Sequence, residues 1–115
     1  MDSLKLYYKK AWEYEFYKLP KFLFEREEFE EMSFRAKLLY AALLDRSSVS
    51  EKNGWIDRRD NVFIKYTLNE ACEFLSCSLP TAVKVFRELE EAGLIEKKKG
   101  RKGGADKIYV LVFIN

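Results

Sequence analysis

From Ser33 onward the apolar residues recur at helical spacing: Ala36, Leu39, Tyr40 and Leu43 make one stripe, with Arg35, Lys37 and Asp45 elsewhere on the wheel. Ser33 is a good N-cap for this first helix. The run Ser47-Ser48-Val49-Ser50, followed by Asn53-Gly54, is polar and turn-rich, and predicts that helical order breaks between Arg46 and Asp60. Trp55-Ile56 and Val62-Phe63-Ile64 are then placed to pair as a small hairpin around a turn from Arg58 to Asn61.

A second helix starts at Thr67-Leu68-Asn69-Glu70. This is a capping box, in which the Thr hydroxyl and the Glu carboxylate each satisfy an orphan backbone donor. It continues through Ala71, Phe74 and Leu75 and stops at Ser76-Cys77-Ser78. Ser78 caps a third helix, and Pro80 is tolerated within its first turn because N–H groups there have no helical partner. Leu79, Ala82, Phe86 and Leu89 form the expected buried stripe of that helix, and Gly93 is its C-terminal stop. Leu94-Ile95-Glu96 and Ile108 to Phe113 read as two strands around a basic, glycine-rich loop.

Upstream the pattern is weaker. Leu4 to Phe16 is rich in Tyr, Trp and Lys and fits neither period, so residues 1–15 are read as an N-terminal aromatic arm and 16–115 as the folded domain. Phe16 to Pro20 is expected to be extended, because the residue before a proline is pushed out of the helical region.

The chain has 115 residues, of which 48% are hydrophobic and 16% aromatic, enough for one ordinary core. Its net charge of +2 is small, so attraction for a polyanion must come from how charge is distributed. Glu25, Glu27, Glu28, Glu30 and Glu31 crowd one segment, most simply an exposed acidic face. No signal peptide or membrane-length apolar run is present, and a cytoplasmic location is expected. Cys72 and Cys77 have a spacing that suits neither a zinc site nor a redox pair and are read as reduced core or near-core thiols. With no histidine in the chain there is no triad or histidine metal site, and the loop glycines match no phosphate-binding pattern. No enzymatic activity, metal or cofactor is therefore expected.

Two short helices joined by a tight turn and followed by a basic hairpin are the parts of a winged helix-turn-helix. The fold class is thus α+β: a three-helix core with a C-terminal β-hairpin wing, plus a small β element near Trp55 to Ile64. Helical geometry then turns Pro80, Thr81, Lys84, Arg87 and Glu88 outward. Thr81 and Lys84, near the end of the helix that enters the major groove in this motif, are candidates to read base edges, while Ser78 and Arg87 are candidates to hold phosphates. Such a face also reads as merely solvated. The neighbouring wing tips the balance, because Lys97, Lys98, Lys99, Arg101, Lys102 and Lys107 put six cations on one tip with only Asp106 among them. The aromatic residues Tyr7, Tyr8, Trp12 and Tyr14 read either as core filler or as a homodimer interface.

Four segments carry a family resemblance: Phe16-Tyr17-Lys18-Leu19-Pro20-Lys21, Ala36 to Arg46, Lys52-Asn53-Gly54-Trp55-Ile56-Asp57, and Arg87 to Glu96. The last is common to many winged helices; the first three are more specific. In that order they resemble the N-terminal domain of RepA-type plasmid replication initiators of Gram-positive bacteria. The resemblance implies sequence-specific binding of double-stranded DNA at repeated origin sites (iterons), dimerisation, and a further C-terminal region, expected to be missing here, that recruits host replication proteins. A transcriptional repressor of the same fold, and a protein-interaction winged helix with a solubilising wing, remain as alternatives.

Overall fold

The computed structural model describes residues 15–100 and 106–112. After a stretch without regular secondary structure come a single helical turn, α1 (Phe22–Glu25), and a 3-10 turn (Glu27–Phe29). Three helices follow: α2 (Phe34–Lys52), α3 (Leu68–Leu75) and α4 (Leu79–Glu91). Strands β1 (Ile95–Lys98) and β2 (Lys107–Val110) complete the fold. Among the described residues no helix is long and apolar enough to cross a membrane.

The starts of α2, α3 and α4 follow their side-chain chemistry. The hydroxyls of Ser33, Thr67 and Ser78 accept from the N–H of Ala36, Glu70 and Thr81 respectively. Two helix ends share one device. At α2, Gly54 (φ +77°) lets its own N–H reach the Glu51 carbonyl and that of Trp55 reach the Ser50 carbonyl. At α4, Gly93 (φ +75°) does the same with Glu90, and Leu94 with Leu89. Both are Schellman closures, which need a left-handed residue just past the cap. The second sends the chain directly from α4 into the wing.

The core gathers Leu23, Phe29, Leu39, Tyr40, Leu43, Ile64, Phe86, Leu89, Leu94 and Ile108, all essentially without solvent access. Helix α4 packs on α2 and α3 and reaches β1, while α2 touches β2. β1 and β2 are antiparallel, with Ile95 opposite Val110 and Lys97 opposite Ile108. On the other edge of β2, Ile64 exchanges two backbone hydrogen bonds with Ile108, at 2.8 and 2.9 Å. The element order, helix, short edge pairing, two helices and hairpin, is that of a winged helix-turn-helix. The expected hairpin upstream of Ile64 is present in small form, as an antiparallel bridge between Ile56 and Val62.

The structure corrects several expectations. α2 does not break at Arg46 but runs to Lys52. Tertiary contacts override the weak helix propensity of its serines: Arg46 donates to the Lys65 carbonyl and the Glu70 carboxylate and lies over the Tyr66 ring, and Ser50 is buried. For the same reason the Thr67 capping box is half made, since Glu70 turns to Arg46. Leu79 is 50% exposed and Val85 takes its place in the stripe. Periodicity gives the angle around a helix, but Leu79 sits in the outermost turn. Lys37 is buried with its ammonium over Phe24. β2 ends at Val110, with Phe113 outside the described residues.

Candidate nucleic-acid interface

At 100° per residue, α4 sets Ala82, Val85, Phe86 and Leu89 inward, all buried. Opposite them, Pro80, Lys84 and Arg87 fall on one line along the solvent side, and all three are exposed. The flanks of that line are fixed to the rest of the domain. On one flank Glu88, expected to face outward, instead accepts from the backbone N–H of Ser33 at 2.5 Å and its hydroxyl at 2.7 Å. A carboxylate at this angle reaches the start of α2, so it ties α4 to the neighbouring helix. On the other flank Lys97 lies over the Phe86 ring at 4.5 Å and 4.0 Å from Glu90.

Lys97 therefore braces the wing against α4 as well as adding charge. The alternation of a strand explains this, since Lys97 shares the helix-facing side of the sheet with Ile95 and Ile108. Lys98 and Lys107 pair on the opposite side, their ammonium groups over the rings of Tyr109 (5.3 Å) and Phe63 (4.6 Å). Lys99 is exposed. Asp106 accepts from the N–H of Gly100 at 3.4 Å, across the base of the wing loop. Arg101 and Lys102, and the arm residues Tyr7, Tyr8, Trp12 and Tyr14, lie outside the described residues.

At the N-terminus of α4 the hydroxyls of Ser78 and Thr81 are 3.0 Å apart and share a hydrogen bond. Thr81 is half-buried, Ser78 exposed. Each hydroxyl keeps further hydrogen-bonding capacity. The structure thus leaves Ser78, Lys84 and Arg87 exposed and Thr81 half-buried along α4 and its cap, with Lys97 joining the wing to that helix.

A cluster that the pattern did not single out lies on the outer face of the sheet. Trp55 stacks on Phe63, with ring centroids 6.0 Å apart, and Phe63 packs against Tyr109 at 6.3 Å. Asp57 holds the hairpin to this face: its Oδ1 accepts from the N–H of Arg59 and Asn61, and its Oδ2 accepts from the Tyr109 hydroxyl at 2.9 Å. The Asn61 N–H, helped by the other two donors, lowers the Asp57 carboxyl below its ordinary range, and burial with the adjacent carboxylate raises the Tyr109 phenol. The sequence signal was the Asp57-Arg58-Arg59-Asp60-Asn61 turn, legible as a turn but not as an anchored one.

Comparison with known proteins agrees with this architecture. A solved N-terminal domain of a DNA-binding protein is 26% identical, with a TM-score of 0.80 over 99% of this chain and 87% of that one. The Rep protein of a solved Rep–DNA complex is 27% identical (TM-score 0.79; 97% and 86%), and an MDR initiator is 30% identical (TM-score 0.75; 95% and 86%). A 41 kDa protein of Lactobacillus helveticus is 28% identical over 102 residues, covering 84% of this chain but 29% of that protein, so the chain spans under a third of this relative's length. The family model of the replication initiator protein A (RepA) N-terminus matches residues 15–115, and the chain belongs to that family.

Proposed function

We propose that this domain binds double-stranded DNA sequence-specifically, as the origin-recognition part of a plasmid replication initiator, and that it does so without catalysing a reaction. One observation carries the reading: Lys84 and Arg87 stand on the outward line of a helix whose flanks are fixed by Glu88 and Lys97, beside a basic wing. In a winged helix that line enters the major groove, where Lys84 and Thr81 reach base edges while Ser78 and Arg87 hold phosphates. Lys98, Lys99 and Lys107 supply sequence-independent attraction to the backbone. The solved relatives described as a Rep–DNA complex and an initiator favour this reading over a repressor.

The target sites are repeats at an origin, engaged by a cytoplasmic homodimer whose aromatic arm contributes to the interface. A C-terminal region in the whole protein recruits host replication proteins. The test is a titration of the domain with a duplex carrying the tandem repeats of its own origin and with a shuffled duplex. Tighter binding to the repeats, weakening linearly in log affinity against log salt, is expected. Equal affinity for both duplexes, or binding indifferent to salt, would contradict the proposal.

A further inference from the structure

The hairpin between α2 and Ile64 carries more charge than a connecting turn needs. Arg58, Arg59, Lys65, Lys98, Lys99 and Lys107 line one open groove together with a single carboxylate, Asp57. That carboxylate is engaged by two backbone N–H groups and the Tyr109 hydroxyl. Among the described residues, neither Arg58 nor Arg59 has an ion pair, and both are exposed. Six cations around one occupied carboxylate give this groove a positive field, which attracts an anionic partner.

The turn that holds the two arginines is also built. Its backbone closes through Asp57 and Asn61 at 3.0 Å, Asp60 takes a left-handed φ of +64°, and Asp57 bolts the loop to β2 of the wing. The arginines are therefore displayed from a fixed position relative to Lys98 and Lys107.

We propose that this hairpin is a second wing: Arg58 and Arg59, with Lys65 and the wing lysines, form a track that holds the phosphates of duplex DNA flanking the segment read by α4. The inference rests on the reading of α4 given above and assigns the flanking contacts to the hairpin. Phosphates suit the groove better than unstacked bases. The rings of Phe63 and Tyr109 lie under the ammonium groups of Lys107 and Lys98 at 4.6 and 5.3 Å and Tyr109 is 8% exposed, which leaves Trp55, 40% exposed with Lys65 6.0 Å from its centroid, as the one open ring of the three. A stacking platform needs open ring faces. Here the ring contacts hold the ammonium groups of Lys98 and Lys107 on the outer face of the sheet.

The experiment measures binding of the intact chain to two duplexes, one trimmed to the recognised repeat and one extended by about a helical turn, roughly 10 base pairs, on each side. Both, and one strand of the extended duplex alone, are titrated over a salt series for the wild type, the Arg58→Ala/Arg59→Ala double variant and Arg87→Ala. If the hairpin holds two flanking phosphates, the double variant lowers the log–log salt slope by about two on the extended duplex and leaves the trimmed one unchanged. Arg87→Ala lowers the slope by about one on both. An unchanged slope on the extended duplex in the double variant, with Arg87→Ala still shifted, overturns the second wing alone. Failure of Arg87→Ala to shift either duplex overturns the α4 reading, and the second wing with it. A loss confined to single-stranded oligonucleotide overturns the duplex track. Both arginines are exposed, so the double variant is expected to keep the wild-type far-UV circular dichroism.

Discussion

Asp57 shows how much one side chain can organise here. Its carboxylate accepts three hydrogen bonds, and the resulting lowered pKa has a consequence for stability. A carboxyl whose folded pKa lies below its unfolded value stabilises the fold above the unfolded value and loses that contribution as pH falls through the folded one. Melting temperatures of the wild type and Asp57→Asn, compared from neutral pH downward, are therefore expected to differ most near neutrality and to converge in acid, below the ordinary carboxylate range. A difference that widens in acid would contradict the assignment. Glu88 is the other residue whose role was hidden. In the sequence it lies beside Arg87 on what looks like a polar face, and no spacing rule links it to Ser33, 55 positions away.

Among the elements, those with local causes were legible. The caps at Ser33, Thr67 and Ser78, the glycine closure at Gly93, and the inward set Ala82, Phe86 and Leu89 all follow from interactions within a few residues, which the chain displays directly. The misreadings had distant causes. α2 extends to Lys52 because Arg46 finds Lys65, Tyr66 and Glu70, and Ser50 finds the interior. Leu79 had the right angle and the wrong depth. The Arg58 to Asn61 turn was legible but its anchoring to the sheet's outer face was not, because that depends on Tyr109, 52 residues from Asp57. For the candidate interface the pattern identified the helix, Lys84, Arg87 and the wing. It did not separate Lys97, which braces the wing on Phe86, from Lys99, which stands exposed.

At the scale of the whole molecule, charge is partitioned over a chain whose net charge is only +2. The wing and the Arg58–Arg59 turn concentrate cations, whereas Glu25, Glu27, Glu28, Glu30 and Glu31 are exposed on the segment before α2. One winged helix contacts little duplex, and paired domains on paired half-sites discriminate better. Phe16 and Tyr17, where the described chain emerges from the arm, are 63% and 57% exposed, and Tyr17 sits edge-on against Phe74. Sedimentation equilibrium is expected to give a dimer mass for the intact chain and a monomer mass after removal of residues 1–13. A monomer for the intact chain at micromolar concentration would end the dimer, and a dimer that survives the deletion would move its interface elsewhere.

The account stands most directly on α4 as the reading helix, and a comparison of two single substitutions on two duplexes tests it. Lys84→Ala is expected to cost roughly 1–3 kcal/mol on the specific site and much less on random duplex, because a base-edge contact carries sequence information. Arg87→Ala is expected to weaken both duplexes about equally, as a phosphate contact does. Equal loss on both duplexes for Lys84→Ala, with a selective loss for Arg87→Ala, would contradict the helix face assigned here.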